Sequence, residues 1–153
     1  VLTPNLPEAR ALLRHAGRPD EVRDPTELAR GPRELGPDVV VLTGGHREEA
    51  TDIYHDGDRT IELPGERHPD GAAHGSGCTH SSVFAARMAW GDDPLKAARV
   101  AKEVTARAVR DGLRELGAGP GPVNVQGIGL PSPAANRPTA EAPVGTGSST
   151  PSI

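Results

Sequence analysis

Aromatic side chains are nearly absent from this chain of 153 residues: Tyr54, Phe84 and Trp90 are the only three, 2% of the sequence. The interior must then be built from Ala, Val and Leu, and at 35% hydrophobic content such a core is thin for the length. Cysteine is scarce too. Cys78 stands alone, which excludes an intrachain disulfide and fits a reducing compartment. Positive charge shows no excess: the net charge is −4, the lysines are Lys96 and Lys102, and the arginines are scattered, so no nucleic-acid surface is expected. No apolar run approaches the ~20 residues that cross a bilayer, and no charged-then-apolar leader precedes Val1. The expectation is a cytoplasmic protein without membrane contact. Val1 is not Met and opens directly on an apolar pair, which reads as a piece of a longer protein.

What is plentiful is glycine and proline, 19 and 16 residues, and they punctuate a readable order of elements. Val1-Leu2-Thr3 reads as the end of a buried strand stopped by Pro4. Glu8 to His15 reads as a helix with Ala9, Leu12, Leu13 and Ala16 inward, closed by Gly17. Pro25 to Arg30 is a second, short helix. Val39 to Leu42 is an uninterrupted β-branched run, as in a parallel strand covered on both faces, and Gly44-Gly45 ends it. Thr51 to His55 and Arg59 to Leu63 flank Asp56-Gly57-Asp58, a hairpin signal. A helix is expected from about Cys78 to Trp90. Asp93-Pro94 opens another, with Leu95, Ala98, Ala101, Val104 and Ala108 at helical spacing and Gly117 at its end. Val123 to Val125 would add a last strand. Residues 130–153, almost all Pro, Ala, Ser, Thr and Gly, have little to bury and read as a disordered tail after a domain of residues 1–129. The order indicates an α/β domain with too few strands for a doubly wound sheet, so half of that sheet is expected to lie elsewhere.

The chemistry concentrates in His74-Gly75-Ser76-Gly77-Cys78-Thr79-His80, directly before a helix. Glycines allow a tight turn, and the following N–H groups then point outward at a helix N-terminus, where the helix dipole adds positive potential. Such a place binds anions. It also favours a thiolate on Cys78, although a lone cysteine at a helix start is more often a small packed residue. Neither the dinucleotide nor the P-loop pattern fits: His80 stands where the former wants a third glycine, and no Gly-Lys-Ser/Thr follows. A phosphatase cysteine would want arginine where Phe84 stands, and His74, Cys78 and His80 match no common zinc spacing. Asn5 and Glu8, three residues apart at a strand mouth, are either an N-cap with its capping-box acid or a pair organising a hydrated Mg²⁺ and its phosphates. Thr43-Gly44-Gly45-His46 is either a strand-end turn or backbone closing over a nucleotide.

The order of the pieces is more specific than any one of them. Thr3-Pro4-Asn5-x-x-Glu8-Ala9, a strand into Gly-Gly-His, Asp52-Ile53-Tyr54-His55-Asp56-Gly57, His-Gly-Ser-Gly-Cys-Thr and Ala101-Lys102 together resemble one family. It is the hydroxymethylpyrimidine/phosphomethylpyrimidine kinase family of thiamine biosynthesis, within the ribokinase-like superfamily. The resemblance covers the C-terminal half of such a kinase, from Val1 to about Gly117. It implies a partial ribokinase-like three-layer sandwich, a mostly parallel sheet with flanking helices, lacking its N-terminal half. It implies ATP and Mg²⁺, with Asn5 and Glu8 serving the ion and phosphate. Gly75, Ser76, Gly77 and Cys78 match the family's Gly-Thr-Gly-Cys anion hole, and Cys78 falls where the base for the substrate hydroxyl is expected. Thr43 replaces a lysine that family members often carry, leaving a hydroxyl near the phosphates.

The implied reaction phosphorylates a small pyrimidine, first on its hydroxymethyl group and then on the resulting phosphate. Two rival expectations stand beside it: a pyridoxine or pyridoxal kinase of similar fold, and a non-catalytic remnant whose partner half or fused domain lies outside this chain. On the resemblance, residues 1–153 alone are expected to be marginally stable and inactive.

Overall fold

The computed structural model describes residues 1–44, 49–69 and 71–126; the expected tail, and the Gly45-His46 half of the glycine turn, lie outside the described residues. The elements run α1 (Leu6–His15), α2 (Pro25–Arg33), β1 (Val40–Leu42), β2 (Asp52–His55), β3 (Thr60–Leu63), α3 (Ser76–Ala89) and α4 (Pro94–Arg110).

Alternation along the strands sorts side chains into two layers. Val41 and its cross-strand partner Tyr54 join Val39, Leu63, Val83, Phe84 and the α4 alanines in one buried cluster. Leu42 and its partner Ile53 join Ala9, Leu13, Leu28 and Ala29 in another. Successive residues of a strand point to opposite faces, so the continuous apolar run of β1 is explained by helices on both sides: α1 and α2 on one, α3 and α4 on the other. The three-layer α/β arrangement is thus as expected, and scarce aromatics are replaced by close approach. Ala97, Ala98 and Ala101 are fully buried where α4 meets Val83 and Phe84 of α3.

The pairing is more antiparallel than the run of valines implied. β1, β2 and β3 form one sheet in that order, both neighbours antiparallel. Parallel pairing is confined among the described residues to isolated bridges, Leu2 with Val40, Asn5 with Thr43 and His74 with Pro122. The first is held on both sides, by Leu2 N–H to Val39 C=O at 2.9 Å and Val41 N–H to Leu2 C=O at 2.9 Å. The β2–β3 turn is as expected, with Gly57 at φ +101°.

Several boundaries differ for local reasons. α1 starts two residues early because Asn5 caps it, and its Leu12 and Ala16 face outward while Ala9 and Leu13 are buried. α4 ends at Arg110, not near Gly117: Leu113 and Leu116 find no apolar cover, and Leu113 N–H turns back to Pro122 C=O at 2.9 Å. Residues Val123 to Val125 form no strand. Instead Pro122 bridges His74, and Val123 N–H donates to His74 C=O at 3.0 Å, so this segment braces the loop ahead of α3. Among the described residues no helix is long and apolar enough to cross a membrane.

Candidate active site

Gly75 adopts φ +86°, a left-handed conformation that L side chains rarely take, and this turns the chain sharply into α3. No side chain caps the helix. Ser76 N–H folds back to Ala73 C=O at 3.1 Å and Thr79 N–H closes on Gly75 C=O at 2.9 Å. Between them the N–H groups of Gly77 and Cys78 have no partner among the described residues. A Cβ built on Gly77 would meet nothing within 4 Å. Cys78 is a free, exposed thiol in the same turn. Two unpaired donors, a helix dipole, open space and a thiol therefore share one point, as the glycine spacing indicated.

The second cluster lies at the ends of two parallel segments. The Asn5–Thr43 bridge sets these residues side by side, and Thr43 N–H donates to Pro4 C=O at 2.8 Å. Asn5 and Glu8 form the full capping box: Glu8 N–H donates to Asn5 Oδ1 at 2.9 Å, and Asn5 N–H donates to Glu8 Oε2 at 2.8 Å. The structural reading of this pair is thus realised. The other carboxylate oxygen of exposed Glu8 stays outside the box. No hydrogen bond or ion pair among the described residues joins Asn5, Glu8 or Thr43 directly to Gly75–Cys78.

The link between the clusters is a residue that the motif reading quoted without a role. Asp52, the first residue of β2, is 5% exposed. Its Oδ1 accepts from Gly44 N–H at 2.8 Å, next to Thr43, and pairs with Lys102 Nζ of α4 at 3.0 Å. Its Oδ2 faces His80 Nε2 of α3 at 3.7 Å. Lys102 Nζ also donates to Ala50 C=O. Burial pushes the His80 imidazole below its ordinary pKa, Asp52 pulls it partly back and Lys102 adds to the lowering, so His80 is neutral at neutral pH. His80 is thus separated from His74 and Cys78, which are exposed, and belongs to the packing beneath the loop. One signal for this group was available in the sequence: Lys102, one of two lysines, directly follows the inward-facing Ala101.

Comparison with known proteins shows the family of the chain. The model of the phosphomethylpyrimidine kinase family matches residues 1–124. The chain belongs to that family. A hydroxymethylpyrimidine/phosphomethylpyrimidine kinase of Rhizobium meliloti is 38% identical over 130 residues, covering 81% of this chain and 47% of the relative. The Streptomyces coelicolor protein of the same name is 35% identical over 125 residues, 81% of this chain and 45% of its own. A chloroplastic thiamine biosynthetic bifunctional enzyme of Arabidopsis thaliana is 36% identical over 71% of this chain and 21% of its own. The chain thus spans about half the length of the Rhizobium and Streptomyces relatives. Among solved structures, Staphylococcus aureus pyridoxal kinase superposes with TM-score 0.71 at 29% identity, covering 80% of this chain and 46% of that one. The same enzyme in complex with AMP-PCP and pyridoxal gives TM-score 0.69 at 29% identity, over 80% of this chain and 47% of that one. A Thermotoga maritima ribokinase, at 22% identity, TM-score 0.58 and coverage of 79% of this chain and 38% of that one, shares the fold.

Proposed function

We propose that this chain carries the phosphoryl-transfer half of an ATP-dependent kinase that phosphorylates hydroxymethylpyrimidine and then its monophosphate, in the cytoplasm. The observation that carries the reading is the start of α3: two unpaired N–H groups beside open space at Gly77, in a chain of this family. Donors fixed in advance at a helix N-terminus stabilise charge on a transferring phosphoryl group without reorganising as it forms. In this reading the substrate hydroxyl oxygen attacks the γ-phosphorus and the bond to the β-phosphate oxygen breaks. ADP leaves, and the hydroxyl proton passes to the Cys78 sulfur. Thr43 and Gly44 lie along the nucleotide phosphates. Residues 1–129 act as the kinase domain, and 130–153 take no part in the chemistry.

Mg²⁺ suits the second cluster, at Asn5 and Glu8. It keeps most of its waters and binds through one or two carboxylates plus phosphate oxygens. Glu8, exposed and with one oxygen outside the capping box, would hold it through water, with Asn5 fixing the Glu8 side chain. When bound, the ion would offset charge on the phosphates.

A second reading, a kinase of the pyridoxal ring, is favoured by the superposition on a pyridoxal kinase solved with its substrate. The test is phosphate transfer from labelled ATP by the chain carried at the length of its relatives, offered hydroxymethylpyrimidine, its monophosphate, or pyridoxal. Transfer to both pyrimidines supports the first reading, and preference for pyridoxal the second. Nucleotide binding without transfer to any of them leaves the remnant.

A further inference from the structure

We infer that Asp52 is a positioning residue for the nucleotide: paired with Lys102, it fixes the backbone at the end of β1 in register with the start of α3. The inference rests on the proposed reading that these two ends face one ATP molecule.

Four separate pieces of chain meet on this side chain. Gly44 N–H, Lys102 Nζ and His80 Nε2 approach its two oxygens from β1, α4 and α3, while Asp52 itself opens β2. Lys102 adds a second tie, since its Nζ also donates to Ala50 C=O. One ammonium group therefore holds the chain on both sides of the segment between β1 and β2, at Gly44 through Asp52 and at Ala50 directly. Space around the pair has been cleared for it. A Cβ on Gly65 would stand 2.5 Å from Lys102 Cε and 3.0 Å from Ala50 C=O, so the backbone at Gly65 passes close over the lysine. A Cβ on Gly44 would stand 1.9 Å from Thr51 C=O, so the two strand ends are in direct backbone contact beside the carboxylate.

Burial makes the arrangement a constraint. The side chains of Asp52 and Lys102 are 7% and 12% exposed, and His80 is 4% exposed with no hydrogen bond on either ring nitrogen among the described residues. A carboxylate out of water cannot release its donors without leaving its charge unpaired, so Gly44 N–H is held where Asp52 stands. His80 lies about one helical turn along α3 from Gly77, whose N–H is unpaired among the described residues. Its contact with Asp52 relates the position of the anion-binding turn to that of Thr43 and Gly44. The distance between the two phosphate-facing ends is then set by side chains that touch no ligand.

Two double variants separate this role from plain stability. Both Asp52→Asn/Lys102→Met and Asp52→Leu/Lys102→Met remove the buried charges, but only the first keeps an oxygen for Gly44 N–H. In the 153-residue chain without ligand, amide exchange at Gly44 should be about tenfold faster in the second than in the first. At the length of the relatives, KM for ATP should be about tenfold higher in the Leu variant than in the Asn variant, with kcat within about twofold between the two. Equal Gly44 exchange in the two variants overturns the tie, and unequal exchange with equal KM overturns its positioning role. If the wild type phosphorylates no substrate, the functional reading has failed. Calorimetric affinity for ADP then replaces KM, and equal affinity in the two variants overturns the role. Should the Leu variant not fold, Asp52→Ser/Lys102→Met, whose side chain is too short to reach Gly44 N–H, takes its place in each comparison.

Discussion

At the end of β1 a Cβ on Gly44 would stand 1.9 Å from a backbone carbonyl oxygen, whereas at the start of α3 a Cβ on Gly77 would meet nothing within 4 Å. Gly44 also has its N–H taken by buried Asp52, while that of Gly77 is unpaired among the described residues. The first glycine is explained by the fold of the chain itself. The second is not: Gly77 has an ordinary helical backbone, costs helix stability relative to alanine, and gains nothing from its neighbours. In the proposed reading, the open space at Gly77, beside donors unpaired among the described residues, is where a phosphate approaches. The same division separates Cys78, exposed in the open turn, from Asp52, His80 and Lys102, buried beneath it.

The comparison can be broken by substitutions on either side of it. The largest effect is expected at Cys78→Ser, which in the chain carried at the length of its relatives should lower phosphate transfer about a thousandfold, some 4 kcal/mol, while leaving melting and nucleotide affinity unchanged. Retained transfer would move the base elsewhere. Gly44→Ala should cost about 3 kcal/mol of folding stability in a denaturant titration, because backbone must move to admit the methyl group. A soluble variant with an unaltered midpoint would contradict the close approach. Gly77→Val should do the opposite, holding the melting temperature within a few degrees while transfer falls about a hundredfold. If its stability collapses while its surviving activity is normal, the two glycines have been assigned the wrong way round.

The smallest effect is the dependence of stability on pH. His80 has its pKa lowered in the folded chain, chiefly by burial, so the unfolded chain binds the extra proton first. The neutral-His80 fold is at full advantage above the ordinary histidine pKa. That advantage is lost as pH falls from about 6.5 toward the lowered value, with a slope of at most ~1.4 kcal/mol per pH unit. His80→Leu, titrated between pH 7 and 5, should lose that part of the slope. An unchanged slope would show that His80 is not held neutral by the fold.

Much of this molecule was legible in the sequence because its signals are short-range. The Asn5–Glu8 capping box, the Asp93 cap with proline behind it, and the left-handed glycines at positions 17, 57 and 75 each depend on residues a few positions apart. Hydrogen bonds at three or four residues' spacing, and the freedom of glycine at positive φ, act before any tertiary contact forms. The proposed site residues Asn5, Glu8, Thr43 and Gly75–Cys78 stand out in the sequence for the same reason, since each sits where a local element starts or stops.

What only the tertiary structure decided lies in contacts that no spacing encodes. α4 stops at Arg110 because Leu113 N–H finds Pro122 C=O, and the run at Val123 braces a loop because His74 is within reach. β1 pairs antiparallel with β2 although its composition suits a parallel strand, since burial on both faces leaves the same apolar pattern in either direction. Lys102 reaches Ala50 from 52 residues away, and Asp52, His80 and Lys102 carry no local mark of one another. A polar side chain reads as solvated or buried only once its neighbours are known. For these three, the desolvation that makes them a constraint exists only in the folded chain.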